Sequence, residues 1–127
     1  MARILIIEDS AHQRTSLKNL LISQGHEPVL AEDGAAGLRL LDAVDLVFCD
    51  VFMPVLDGFE FLETLLDLEA PAPTVMVSAD LTDADRLRCL ELGALGILEK
   101  PVSRESLAAL LAQHLSTEQR GEGPAQH

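Results

Sequence analysis

The sequence predicts an α/β fold, a single-domain doubly wound (βα)5 arrangement with a parallel sheet between two layers of helices. Short apolar runs alternate five times with longer segments of helical period. The runs are continuously apolar rather than alternating, which is typical of strands covered on both faces. A chain of 127 residues, 48% of them hydrophobic, suits one domain with a sizeable core. Since strand–helix–strand crossovers are right-handed, five such repeats predict a parallel sheet.

Five segments are predicted as strands, namely 3–7, 28–31, 45–49, 74–78 and 96–99. The second segment, Pro-Val-Leu-Ala, is the weakest and is interpreted as an edge strand. Cys49 lies inside the third run, without a metal-ligand spacing to Cys89, and is predicted to be a small buried apolar side chain.

The helices are predicted from the spacing of apolar residues after each strand. The markers are Leu17, Leu20 and Leu21 for the first helix, Leu38 and Leu41 for a shorter second, Phe59, Leu62 and Leu66 for the third, Leu87, Leu90 and Ala94 for the fourth, and Leu107, Leu110, Leu111 and Leu115 for the fifth. Gly25 is placed to end the first helix. Thr82 with Asp85, and Ser103, have the positions of helix N-caps. Residues 1–116 are therefore predicted as the domain and 117–127 as a flexible tail or the start of a linker.

Composition restricts the classes of partner. The chain has 21 Asp and Glu against 9 Lys and Arg, a formal net charge of −12. Nucleic acids and anionic membranes are bound mainly through basic residues, so neither is an expected direct partner. No secretory signal or bilayer-spanning run is present, and a cytoplasmic location is predicted. His12, His26, His114 and His127 show no ligand spacing and are predicted to lie on the surface.

Polar side chains follow four of the predicted strands. Glu8-Asp9 follows the first strand, Asp50 the third, Ser78 ends the fourth, and Lys100 follows the fifth. In a doubly wound sheet, sites form beyond the carboxyl ends of the strands, so these side chains are expected to meet at one edge.

Three carboxylates placed together repel one another unless they are protonated or bind a cation. Mg²⁺ fits best, with Mn²⁺ as a possible substitute, because it prefers oxygen ligands and is often held by carboxylates together with phosphoryl oxygens. An exposed carboxylate can attack phosphorus to give an acyl phosphate. Lys100 and Ser78 could then contact the phosphoryl oxygens of a group on Asp50.

Four short motifs, in this order, resemble the receiver domain of two-component response regulators, similar to single-domain chemotaxis-type regulators. They are "EDS" at 8–10, "D-x-x-M-P-x-x-D-G" at 50–58, "SA" at 78–79 and "KP" at 100–101. The resemblance covers about residues 3–115 and implies a flavodoxin-like receiver fold with strand order 2-1-3-4-5. It also implies transfer of a phosphoryl group to Asp50 from a histidine kinase or a histidine phosphotransfer protein.

The resemblance also implies roles for individual residues. Asp9 and Asp50 are implied as direct Mg²⁺ ligands, Glu8 as a ligand acting through water, and the backbone carbonyl of Phe52 as a further ligand. Phe52 stands two residues after the acceptor, and we expect it to slow hydrolysis of the acyl phosphate.

Other roles concern the reaction and its surroundings. Ser78 matches the family's hydroxyl position, Lys100 its lysine and Pro101 its cis-proline. Asp57 and Gly58 are interpreted as structural, at a turn and helix start.

The resemblance further implies signalling by protein–protein interaction through the face formed by the fourth helix, the fifth strand and the fifth helix. Arg86, Ile97 and Arg104 are expected on that face, with Ser78 as the switch hydroxyl. Ile97 stands where the family often has an aromatic residue, so the resemblance does not extend to an aromatic switch at this position. Such a protein is not an enzyme with turnover; it catalyses only its own phosphorylation and slow self-dephosphorylation.

Three other functions share part of this sequence pattern. A flavodoxin-like cofactor binder would share the architecture, but the acidic segment after the first strand would repel a nucleotide phosphate. A haloacid-dehalogenase-like phosphatase needs a second Asp where this chain has Phe52. A pseudo-receiver that binds a protein without phosphorylation stays open as the alternative.

Overall fold

The computed structural model describes residues 1–69 and 72–115, and in them five strands alternate with five α-helices. The elements are β1 (Arg3–Ile7), α1 (Ala11–Ser23), β2 (Glu27–Ala31), α2 (Gly34–Leu38), β3 (Leu46–Asp50), α3 (Gly58–Asp67), β4 (Thr74–Ser78), α4 (Asp83–Glu91), β5 (Gly96–Glu99) and α5 (Arg104–His114). A 3₁₀ turn at Leu41–Ala43 follows α2. The predicted tail, 117–127, lies outside the described residues.

The strands form one parallel sheet in the order β2-β1-β3-β4-β5. This confirms the predicted order and the predicted edge position of the second strand. β3 runs one residue further than predicted, so Asp50 is the last residue of the strand and pairs with Val77 of β4. Because neighbouring strands are parallel and in close register, their carboxyl ends lie side by side.

Each face of the sheet is covered by its own apolar cluster. Ile4, Ile6 and Phe48 face the cluster beneath α1 and α5, whereas Leu5 and Cys49 face the cluster beneath α3 and α4. Burial on both faces explains why the strands read as continuous apolar runs. Cys49 is fully buried, as predicted.

The starts of the helices follow their sequence signals. Ser10 caps α1, and capping boxes open α3, α4 and α5 from Asp57, Thr82 and Ser103. The predicted caps at Thr82 and Ser103 are therefore confirmed. Gly25, with φ +86°, follows α1 in the left-handed region that a residue without a Cβ adopts without strain.

Not all of the apolar residues that mark the helices are buried, and one prediction about burial is wrong. Leu66, Leu87 and Leu90 are 55%, 57% and 50% exposed, and Cys89 is the residue of α4 that packs inward. Ala94 is buried, but it lies beyond the end of the helix. His26 is buried rather than on the surface, because the turn after α1 brings it against the N-terminal segment, where the N–H of Ala2 donates to His26 Nδ1 at 3.0 Å.

Within residues 1–69 and 72–115, no helix combines the length and the apolar character that crossing a bilayer would need.

Candidate functional site

The carboxyl edge of the sheet brings the predicted acidic residues together. Carboxylate oxygens of Glu8, Asp9 and Asp50 all lie within 4.8 Å of one another. Glu8 and Asp50 are buried, at 5% and 7% exposure, whereas Asp9 is exposed. The adjacency of β1 and β3 accounts for this cluster, since one strand supplies Asp50 and the loop after the other supplies the pair.

Lys100 completes the cluster from the end of β5. Its Nζ lies 2.7 Å from Glu8 Oε1 and 3.3 Å from Asp50 Oδ1. Two buried carboxylates would be costly without a partner, and the half-buried ammonium group offsets part of their charge. The Lys100–Pro101 peptide bond is cis, as the resemblance implies.

Ser78 lies at the end of β4 with 2% exposure, beside the strand that carries Asp50. Its Oγ donates to the carbonyl of Ala79 at 3.2 Å rather than to the acidic cluster. The structure thus places the hydroxyl at the predicted edge, engaged with its neighbouring backbone.

The pKa of Asp9 is raised above its usual value. The largest cause is partial desolvation at the edge of the sheet, followed by the hydrogen bond and the negative charge of Glu8. Lys100 acts in the opposite direction and does not cancel the effect. The three carboxylates supply only oxygen donors, the set that a hard divalent cation such as Mg²⁺ prefers, so the residues fit the predicted metal.

The loop after β3 packs against the end of the strand that carries Asp50. Asp57 accepts from the N–H of Glu60 and caps α3, while the N–H of Gly58 donates to the carbonyl of Val51 at 2.7 Å. A Cβ on residue 58 would lie 2.7 Å from the backbone oxygen of Asp50, which explains a glycine there.

Phe52 projects from the same loop and is 55% exposed. The centres of the Phe52 and Phe59 rings lie 6.3 Å apart in a T-shaped arrangement, and the guanidinium group of Arg88 lies 4.2 Å from the centre of the Phe59 ring. The role predicted for the Phe52 carbonyl as a metal ligand stays a prediction.

The residues predicted for the output face lie on α4, β5 and α5. Arg86 forms an ion pair with Glu99, Ile97 is half-buried, and Arg104 is exposed. The Arg86–Glu99 pair links α4 to β5 and was not foreseen from the sequence.

Sequence reasoning also missed Gln13, whose Oε1 accepts a hydrogen bond from Lys100 Nζ. The two residues lie 87 positions apart, so no local pattern pairs them. A cavity of about 430 Å³ opens beside this contact, between α1 and the loop after β5, with Glu8, Asp50 and Lys100 in its lining.

Comparison with known proteins assigns the family. The family model described as the response regulator receiver domain matches residues 4–112. This chain belongs to the response regulator receiver domain family. The predicted resemblance and the predicted fold are both confirmed.

Relatives of this receiver domain occur in several kinds of protein. The transcriptional regulatory protein CpxR of Escherichia coli (strain K12) is 36% identical over 110 residues, covering 86% of this chain and 47% of CpxR. The sensor histidine kinase RcsC of Salmonella typhi is 35% identical over 111 residues, covering 86% of this chain and 12% of RcsC. The chain therefore spans about half the length of the first of these relatives and less of the second.

A solved structure shows the same architecture. The chemotaxis protein CheY4 of Vibrio cholerae matches with a TM-score of 0.83 and 29% identity, covering 91% of this receiver domain and 99% of CheY4.

Proposed function

We propose that this receiver domain accepts a phosphoryl group on Asp50 from a phosphohistidine of a histidine kinase or a histidine phosphotransfer protein, in a reaction that depends on Mg²⁺. The observation that carries the proposal is the position of Asp50. It is a buried carboxylate at a strand end, 3.3 Å from the Lys100 ammonium group and within 4.8 Å of two further acids. The family supports it, since relatives include a transcriptional regulatory protein and a sensor histidine kinase.

In the proposed reaction, a carboxylate oxygen of Asp50 attacks phosphorus as the bond from phosphorus to the histidine nitrogen breaks. The nitrogen takes up a proton, and an acyl phosphate remains on Asp50. Lys100 offsets negative charge on the phosphoryl oxygens, and Ser78 can donate to one of them once its hydroxyl leaves the Ala79 carbonyl. Two observations support these roles: Lys100 Nζ lies 3.3 Å from Asp50 Oδ1, and Ser78 ends the strand that pairs with the strand of Asp50.

The proposed metal site consists of Asp9 and Asp50 as direct ligands, the carbonyl of Phe52, and Glu8 through water. When bound, Mg²⁺ or Mn²⁺ supplies positive charge that neutralises the transferred group. Because Phe52 is a bulky apolar residue two positions after Asp50, we expect slow self-hydrolysis. A lifetime that lengthens when Phe52 is made polar would contradict this expectation.

The proposed output is a phosphorylation-dependent interaction with a protein partner in the cytoplasm. The partner would dock on α4, β5 and α5, a face that carries Arg86, Ile97 and Arg104. With a net charge of −12, direct binding of nucleic acid or membrane is not part of the proposal. The protein would act as a phosphoacceptor that modifies itself, not as an enzyme with turnover.

The pseudo-receiver alternative is not favoured. A module that works without phosphorylation does not need a lysine paired with two buried carboxylates, or a third carboxylate within 4.8 Å of them.

The test is labelling of the purified protein with acetyl phosphate and Mg²⁺, followed by mass spectrometry of the intact protein and its peptides. We expect one phosphoryl group, absent in Asp50→Asn and retained in Asp57→Asn, which keeps a capping side chain in the same loop. Omission of Mg²⁺ should abolish labelling. If no small donor and no kinase labels the wild-type protein, the pseudo-receiver is favoured instead.

A further inference from the structure

The ammonium group of Lys100 is enclosed by three oxygen acceptors. It lies 2.7 Å from Glu8 Oε1 and 3.3 Å from Asp50 Oδ1, and it donates a hydrogen bond to Gln13 Oε1. An ammonium group has three donors and no acceptor. Two of them are used in the hydrogen bonds to Glu8 and Gln13, and Asp50 lies at ion-pair distance. A phosphoryl oxygen arriving at Asp50 therefore competes with these acceptors for Lys100, and the ammonium group can turn fully towards it only if one of them withdraws.

Gln13 reaches Lys100 because α1 begins differently from three other helices. In α3, α4 and α5, the third residue returns its side chain to the backbone N–H of the cap residue. In α1, Ser10 Oγ accepts from the N–H of Gln13 at 3.3 Å, but the N–H of Ser10 donates to Glu8 Oε2 at 3.2 Å. The side chain of Gln13, not needed for capping, extends to Lys100.

The three acceptors differ in how firmly they hold the ammonium group. Glu8 is buried and charged, and Asp50 is the residue that receives the phosphoryl group, whereas Gln13 is neutral and exposed. The charged ammonium group attracts a carboxylate more strongly than it attracts a neutral amide, so the amide of Gln13 is the acceptor that yields.

We infer that Gln13 is a positioning residue that holds Lys100 before phosphorylation and is displaced from it when a phosphoryl group arrives. The inference rests on the proposed function of Asp50 and deepens it. Its consequence is that the Gln13–Lys100 hydrogen bond stabilises the starting state more than the transition state, and so slows phosphorylation.

Two substitutions of Gln13 test the sign of this effect. Gln13→Met keeps the length of the side chain but removes the strong acceptor, and phosphorylation by acetyl phosphate at saturating Mg²⁺ should become about two- to tenfold faster. Gln13→Glu offers a charged acceptor and should slow the reaction by a similar factor. Dephosphorylation of Gln13→Met should keep the wild-type rate, because Gln13 no longer contacts Lys100 in that state. A purely structural defect would slow phosphorylation in both variants.

Two controls restrict the effect to Lys100. In a Lys100→Met background, Gln13→Met should no longer change the rate. Gln24→Met makes the same substitution at the other end of α1, where the side chain donates to the carbonyl of Arg104, and should leave the rate unchanged. A slower Gln13→Met protein, or an acceleration that persists without Lys100, overturns the inference.

Stability provides a readout that does not depend on phosphorylation. In urea, Gln13→Met should lower the folding equilibrium constant about two- to fivefold in the wild-type background and leave it unchanged with Lys100→Met. Absence of this coupling overturns the inference even if Asp50 is labelled. If Gln13 and Lys100 are coupled in stability but no donor labels the protein, the positioning of Lys100 by Gln13 holds and only the proposed function of Asp50 is contradicted.

Discussion

At the scale of single residues, close contact with backbone decides which side chains the site tolerates. Gly58 is buried against the end of β3, and a Cβ there would lie 2.5 Å from Met76 Cε and 2.7 Å from the carbonyl oxygen of Asp50. The side chain of Met76 can move, but the end of β3 cannot move without shifting Asp50. The glycine that the sequence predicted as part of a turn is therefore required by packing.

Gly58→Ala is expected to lower the free energy of unfolding by about 2 kcal/mol, because the added methyl overpacks the strand end. It should also slow phosphorylation of Asp50. Urea unfolding and acetyl phosphate labelling measure the two effects. Gly96→Ala is the matched control, since a Cβ there meets its nearest atoms at 3.8 Å, an ordinary contact. Equal losses in the two variants would contradict this account.

His26 shows a second residue-level effect, a titratable side chain in a buried position. Burial first, and the N-terminal ammonium group second, lower the pKa of His26 below its usual value. Its Nδ1 accepts the N–H of Ala2, so protonation at that nitrogen would break the hydrogen bond. Neutral His26 therefore belongs to the folded state.

The stability of the wild-type protein should depend on pH through His26. The unfolded histidine takes up a proton near its usual pKa of 6.5, whereas the folded one resists protonation. Stability is therefore full above that pH and falls as the pH drops toward the lowered folded pKa. Urea unfolding between about pH 8 and pH 5 measures the slope. His26→Asn, which can still accept from Ala2, should flatten this slope, whereas His12→Asn at an exposed position should retain it.

At the scale of elements, the cap of a helix is formed by residues that are close in the chain. Which face of the helix is buried depends instead on the elements that pack against it. Asp57 illustrates the first point, because its side chain and that of Glu60 form a capping box between neighbouring residues. α4 illustrates the second, because the spacing of Leu87 and Leu90 does not decide which side of the helix meets the sheet. Their exposure follows from the packing of Cys89 into the core.

Asp57→Ala should destabilise the protein by about 1 kcal/mol, the usual cost of losing an N-cap. Asp57→Ser keeps an oxygen acceptor and should cost less. Both variants should still be phosphorylated on Asp50, because the proposed role of Asp57 is structural. Urea unfolding and mass spectrometry together provide the check, and loss of labelling in Asp57→Ser would make Asp57 part of the reaction.

At the scale of the whole molecule, one edge of the sheet concentrates negative charge, and the protein's own positive charges neutralise only part of it. Three acids and one lysine meet there, in a chain whose net charge is −12. The pKa of Asp9 is raised, first by desolvation and then by Glu8, so the ionised form of Asp9 is disfavoured at this edge. A divalent cation is expected to relieve this repulsion.

Mg²⁺ should therefore stabilise the protein by mass action, by about 2.7 kcal/mol at a concentration a hundred times the dissociation constant. Asp9→Asn should be more stable than wild type without metal, since it removes the disfavoured charge, and should lose most of the response to Mg²⁺. Thermal unfolding at increasing Mg²⁺ measures both effects. Asp67→Asn removes an exposed acid outside the site and should retain the response. An identical response in Asp9→Asn would exclude Asp9 from the metal site.

The amino-acid sequence by itself determined the alternation of strands and helices, the capped starts of α4 and α5, and the strand ends at which Glu8, Asp50 and Lys100 stand. These features depend on local periodicity and capping between residues close in the chain. Even β3 was misplaced by only one residue.

The tertiary structure decided the rest: the buried side of α4, the burial of His26 and the contact of Gln13 with Lys100 across 87 positions. Each depends on which elements pack together, and the free energy of that packing comes from the whole core rather than from any segment read alone.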